Sequence, residues 1–379
     1  MRFHFHWALT TIMGSAMLAA ACGQGSTTTP AGLDSAPSST GRLLPVKGCE
    51  SAAFQAADVP PKGPTRCVSG SPAPQPLKDP AKVTVAVPSE KIGTVLPLIA
   101  GQAMGEFQKE NLAVEVTVMP SADAVQLVAS GQIDAMEGST SVGLLNAVQQ
   151  GFPVKQIIGD GWLPPESKMG VWRRADVPTA QLKDKAIGSA IGIGSSVNAP
   201  LAAVLAKDGL KLTDLKWEVV GAADAATALK NGAVDAAVVL DPFWLQLKDD
   251  ARFQFVSPAI EPGGNVGGLH AGPRLLDRRD VALALTRAYV RTTNTYLRDE
   301  KWQKDTGFMN KLSERLKTPV DVLRAVPGQV YNWDIPVGAA TRLQELYIET
   351  KTLKAKRPMP ESTFVDRSFV ATVVGQPRP

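Results

Sequence analysis

Gly131-Gln132-Ile133-Asp134-Ala135 returns in class and spacing as Gly232-Ala233-Val234-Asp235-Ala236, an internal offset of roughly one hundred residues. The flanks keep step without a gap: Val116-Thr117-Val118 with Asp123 aligns with Trp217-Glu218-Val219 and Asp224. In both copies an alternating strand leads through a short turn into a helix. Its apolar residues fall at helical spacing, Val125, Leu127 and Val128 in the first copy and Ala226 and Leu229 in the second. Each helix runs into Ser130-Gly131 or Asn231-Gly232. Glycine accepts the left-handed conformation that closes a helix, so a new strand is expected at once. Each copy is also preceded by a strand and a helix, Val83 to Val87 then Val95 to Phe107, and Ala186 to Ala190 then Val197 to Ala206. The chain therefore reads as two βαβαβ-like units.

Strands alternating with helices at this spacing predict an α/β fold of two lobes, each a mainly parallel sheet flanked by helices. Ligand then belongs beyond the carboxyl ends of the strands. Four loops fill those places: Pro88 to Thr94, containing Lys91, Ile92 and Gly93; Gly138 with Ser139, Thr140 and Ser141; Gly192 with Gly194, Ser195 and Ser196; and Leu240-Asp241-Pro242. The repeat offset also aligns Thr140 with Asp241, so these are expected to face one another across a single cleft. From Asp277 onward the pattern is helical and amphipathic, through Val281, Leu285, Tyr289 and Leu297, and is expected to fold back on the first lobe.

The chemistry of the loops suits a small polar ligand. Serine and threonine hydroxyls together with backbone N–H groups at helix starts hold an anionic oxygen group, and Lys91 supplies one formal charge. The same serines and Thr140 also read as plain N-caps, a role compatible with binding because a cap satisfies one donor only. Asp241 follows the apolar Val238-Val239-Leu240 and needs a partner. A ligand amine or ring N–H is one candidate, a protein Lys or Arg the other. Trp162 and Trp244 are read either as walls of the site or as core.

Composition narrows the remaining classes. With 379 residues, 44% apolar and 20% charged, the chain can bury a sizeable core. A net charge of +4 without a basic run gives no nucleic-acid footprint. Histidine stands only at His4, His6 and His270, which rules out a multi-histidine metal site and leaves a Ser-His-Asp triad only His270. The run Gly263 to Gly268 lacks the context of a dinucleotide or phosphate loop. No cofactor and no metal are expected.

The N-terminus reads as an export signal over residues 1–21, with Arg2 before the apolar Trp7 to Ala21. Leu18-Ala19-Ala20-Ala21-Cys22 resembles a bacterial lipobox, although Leu18 stands one place early; cleavage after Ala21 without lipid is the alternative. Residues 22–79, rich in Ser, Thr, Ala and Pro, are expected to form a tether. Cys49 and Cys67, left over once Cys22 is lipidated, are expected to bridge in an oxidising compartment, worth on the order of 3 kcal/mol.

Further motifs carry a family resemblance. Met104 to Val114, Ser130 to Ala135, Gln150-Gly151-Phe152-Pro153-Val154, Leu182 to Gly188, Gly194-Ser195-Ser196 and Asp235 to Phe243 together resemble the nitrate/sulfonate/taurine and thiamine-precursor family of ABC-transporter substrate-binding proteins. Asn111 stands where that family usually has Gly, and Asp241 where it often has Glu before Pro. The resemblance implies a two-lobe clamp of the type II class, with lobe 1 at 80–172 and 268–379 and lobe 2 at 173–267. It also implies a monomer that captures a sulfonate/taurine-like or thiamine-precursor-like molecule, which the strand-end loops independently place at Lys91, Ile92, Gly93, Ser139, Thr140, Ser141, Gly194, Ser195, Ser196, Asp241 and Trp244. The partners would be a permease with its ATPase, reached from a membrane lipid anchor on the periplasmic or cell-surface side. A secreted enzyme on the same fold, related to thiamine pyrimidine synthesis, is the alternative; such enzymes use pocket Cys and His residues, which these loops lack.

Overall fold

β1 (Ala81–Val87) leads through α1 (Leu96–Ala103) to β2 (Leu112–Val118), through α2 (Ser121–Ala129) to β3 (Ala135–Gly138), and through α3 (Val142–Gln149) to β4 (Lys155–Gly159). After β5 (Gly170–Arg174) the plan repeats as β6 (Ala186–Ser189), α4 (Ala199–Lys207), β7 (Lys216–Val219), α5 (Ala225–Lys230), β8 (Ala236–Val239) and β9 (Phe253–Pro258). β10 (Gly268–Ala271) then returns to the first sheet. Helices α6 (Pro273–Leu276), α7 (Arg279–Tyr296), α8 (Thr306–Leu316), α9 (Val320–Ala325), α10 (Ala339–Glu349) and α11 (Ser368–Val373) follow. The structure is a computed structural model and describes residues 71–374 except 92, 165, 261–266, 298–301, 336 and 337. The export segment, Cys22, Cys49, Cys67, Ile92 and most of the glycine-rich run at 263–268 lie outside the described residues.

The two sheets share one plan, with strand orders β2-β1-β3-β10-β4 and β7-β6-β8-β5-β9. All strands of a sheet run one way except β10 in the first and β5 in the second, which pair antiparallel on both sides. These are the strands by which the chain returns to the first lobe and enters the second. The sheets are thus mixed, though their strands are mainly parallel. β5 belongs wholly to the second sheet and begins at Gly170, ahead of the lobe boundary expected at 173. Close packing sets its start: a Cβ on Gly170 would lie 2.1 Å from the Ser257 oxygen of β9.

The repeated residues act on the backbone. Gly131 and Gly232 adopt φ of +74° and +72°, as a helix-closing glycine does. Asn111 takes the same left-handed region at φ +58°, which Asn tolerates better than most side chains. The repeated aspartates tie neighbouring strands together: Asp134 accepts from the Thr84 N–H at 2.8 Å, and Asp235 from the Ala186 N–H at 3.2 Å. α7 folds back on the first lobe as its pattern predicts, burying Val281, Leu285, Ala288 and Tyr289 in the core that holds Val83, Val85 and Leu98.

Residues 71–77 depart from the expected tether. Arg291 donates to Glu106 and to Glu110, both at 2.6 Å, and to the Pro72 carbonyl at 3.3 Å. Arg287 reaches Glu110 at 2.8 Å and the Gln75 carbonyl at 2.9 Å. These charges are buried and keep their ionised form only if mutually paired and fully hydrogen-bonded. The carbonyls of 72 and 75 complete that bonding, so this stretch is part of the first lobe.

Candidate functional site

The strand ends of the two lobes meet. At the end of β3, Ser141 caps α3 by accepting from the Leu144 N–H at 3.4 Å. Opposite it, the loop after β6 is held by Asn198, whose amide donates to the carbonyls of Gly192 at 2.9 Å and Ile193 at 3.0 Å. This places Gly194 directly against α3: a Cβ on Gly194 would lie 2.1 Å from Cγ1 of Val142. Ala222 of the second lobe is likewise buried in the first lobe's core. The lobes are in contact, as in a closed clamp.

Between them lies a cavity of about 80 Å³, with Pro88, Thr94 and Ser139 on the first lobe and Ser189, Ser195 and Leu240 on the second. Its polar groups are hydroxyls. Ser196, behind this wall, keeps a buried Oγ with no partner among the described residues. Thr140 is buried, and its carbonyl accepts from the Tyr347 hydroxyl at 3.0 Å. Thr140, Ser141, Gly194 and Ser196 support or flank this cavity without forming its walls.

Asp241 does not face Ser139 and Thr140 across that cleft. Together with Lys91 and Gly93 it borders a second cavity, of about 60 Å³, walled largely by the C-terminal segment through residues such as Trp302, Leu316, Val326 and Gln329. The loop 88–94 and the turn 240–242 border both cavities, which is why their residues look like one site in the sequence. Asp241 is 4% exposed and accepts from the Trp244 indole N–H; no Lys or Arg pairs with it among the described residues. Burial pushes its carboxyl up to about 6, with the Trp244 bond opposing. Trp244 is therefore a core residue that orients Asp241. Trp162 is also buried and joins Val330 through its backbone, forming no wall of either cavity. Ser189, Asn198, Trp302 and Gln329 were missed by the motif reading. Asn198, close behind Gly194, was the only one with a local signal.

His270 stands in mid-strand on β10, paired with Met136 and Gln156. It is wholly buried, and burial lowers its imidazole to about 4. It is neutral at physiological pH and reaches neither cavity. No helix among the described residues is long and apolar enough to cross a membrane.

Comparison with known proteins matches this fold. The family described as NMT1/THI5 like matches residues 93–252. No curated protein matches in sequence. Among solved structures, the alkanesulfonate-binding protein SsuA from Xanthomonas axonopodis pv. citri, bound to MOPS, is 20% identical over 77% of this chain and 100% of its own, with a TM-score of 0.58. The periplasmic nitrate-binding protein NrtA from Synechocystis PCC 6803 is 14% identical over 79% and 90%, with a TM-score of 0.60. A desulfurization enzyme, DSZB, aligns at 14% identity over 78% and 99%, with a TM-score of 0.50, so the architecture serves binding and catalysis alike. Residues 93–252 thus match the NMT1/THI5-like family model, within a chain whose solved neighbours share its two-lobe periplasmic-binding-protein fold.

Proposed function

We propose that this chain is the extracytoplasmic solute-binding protein of an ABC importer. In this reading it is lipid-anchored through Cys22 and, as a monomer, hands a small polar organic ligand to a permease with its ATPase. The observation that carries the reading is the hydroxyl-lined cavity shared by strand ends of both lobes, closed by Gly194 against Val142. A ligand held by Ser139 on one side and Ser195 on the other favours the closed arrangement, because part of its contact exists only there. Among the described residues the hydroxyls have no base beside them: His270 is neutral and buried elsewhere, and no Cys stands on the walls, which favours binding over the enzyme alternative. Similarity to sulfonate- and nitrate-binding proteins supports an oxyanion-bearing or taurine-like ligand, with thiamine precursors as the other class to screen. A thermal-shift screen over sulfonates, taurine, nitrate and thiamine precursors, followed by calorimetry on Ser139→Ala and Ser195→Ala, tests it. At least one compound should bind and lose affinity in both variants; binding indifferent to both removes the cleft as its site. Intact-mass analysis of membrane-extracted protein tests the anchor, since a start at Cys22 without lipid contradicts it.

A further inference from the structure

The second cavity has a chemistry of its own. Three oxygens surround the space over Gly93: a Cβ there would lie 3.3 Å from Gln329 Oε1, 3.4 Å from Asp241 Oδ2 and 3.7 Å from the Tyr331 hydroxyl. Each is fixed by a second bond. The Gln329 amide nitrogen donates to the Asp160 carbonyl at 3.2 Å, which turns Oε1 towards Gly93. The other Asp241 oxygen takes the Trp244 indole N–H, and Tyr331 donates its own proton to the Gly93 carbonyl at 3.0 Å. Gln329 Oε1 is buried with no partner among the described residues, a costly state for an acceptor. Around these oxygens the wall is apolar, with Leu96, Leu312, Leu316, Val322 and Val326. The charged residues at the rim are Glu90, whose carboxylate is held by Arg315 at 2.7 Å, and the exposed Lys91.

We propose that this cavity is a binding compartment, separate from the hydroxyl-lined cleft, for a short organic ammonium with an apolar body. An ammonium offers three N–H donors to three oxygens, one of them a carboxylate, while the alkyl body lies against the leucines and valines. An anionic head of the same body would meet Asp241 and the unpaired Gln329 oxygen. The absent Cβ of Gly93 leaves the opening between the oxygens. Because the oxygens come from both lobes, occupation also favours closure. This goes beyond the importer reading, which stands on the other cavity.

Calorimetry with n-butylammonium, n-butanol and n-butanesulfonate tests the head group on a constant body. The ammonium should bind the parent at least about tenfold more tightly than the alcohol, and any butanesulfonate held in the hydroxyl-lined cleft should bind the Gly93→Ala and Asp241→Asn variants as it binds the parent. Gly93→Ala, whose methyl occupies the space between the oxygens, and Asp241→Asn should each weaken the ammonium by about tenfold or more, with melting curves confirming that both variants fold. Butanol binding as tightly as butylammonium overturns the proposal, as does butanesulfonate losing affinity in Gly93→Ala and Asp241→Asn to the same extent as butylammonium. So does ammonium binding unchanged in both variants, or none detectable at millimolar concentration. A cleft ligand that still compacts the parent in those cases leaves the importer reading intact.

Discussion

Gly194 of the second lobe packs against Val142 of the first so closely that a Cβ on the glycine would fall 2.1 Å from Cγ1 and 3.1 Å from Cβ of the valine. A closed clamp therefore depends on glycine here, although the backbone of Gly194 lies outside the left-handed region.

Gly194→Ala is consequently expected to hold the lobes apart and weaken the cleft ligand by about tenfold or more, while the separate lobes keep their stability. Val142→Ala removes the clashing methyls, so the double variant should regain most of the loss, a coupling expected only of residues in contact. Calorimetry on the four proteins of this cycle reads it directly.

Asp241 sets a pH dependence in the unliganded protein. Its carboxyl is raised to about 6 by burial from an ordinary value near 3.9, so the native state holds its proton more tightly than the unfolded chain. The associated stability is complete below about pH 4, is lost as pH rises through about 6, and amounts to on the order of 3 kcal/mol. Asp241→Asn should melt higher than the parent at pH 7.5 and level with it near pH 4, as denaturant titration at the two pH values will read.

A buried acid pair, Glu137 with Asp160, works in the same direction. Tyr289 donates to Asp160 at 2.8 Å and lies 3.3 Å from Glu137. Burial and the neighbouring Asp160 raise Glu137 well above the carboxylate range, and burial raises Asp160 to about 6. The pair retains a proton at neutral pH, and shedding it costs stability as pH rises. Glu137→Gln should flatten the decline between about pH 5 and pH 8; an unchanged slope contradicts the shared proton.

Gly131→Val and Gly232→Val should each destabilise by roughly 1 kcal/mol or more, because a β-branched residue resists the positive φ that both positions adopt. Thermal melts compare them with the parent.

The repeat made the two lobes legible because its devices are local: helix-closing glycines, strand alternation, and an aspartate at a fixed place before each third strand. The reversed β5 and β10 were not legible, since strand direction there follows from where the chain crosses between lobes and not from any residue pattern. The docking of residues 71–77 was hidden for a related reason. It uses backbone carbonyls that Arg287 and Arg291 reach, and a Pro- and Ser-rich stretch looks the same whether docked or free. Of the candidate site, the loops were legible and their division was not. Asp241 and Ser139 lie on different cavities because the C-terminal helices wall off the space beside Gly93. Leu312 and Leu316 read in sequence only as the apolar face of a helix.

The central claim is that ligand in the hydroxyl-lined cleft draws two lobes together. Small-angle scattering on the parent, with and without the best compound from the screen, tests it most directly. The account predicts a smaller radius of gyration with ligand, and no such compaction in Gly194→Ala at the same ligand concentration. Saturating ligand that leaves the parent's radius of gyration unchanged from an open value would contradict it.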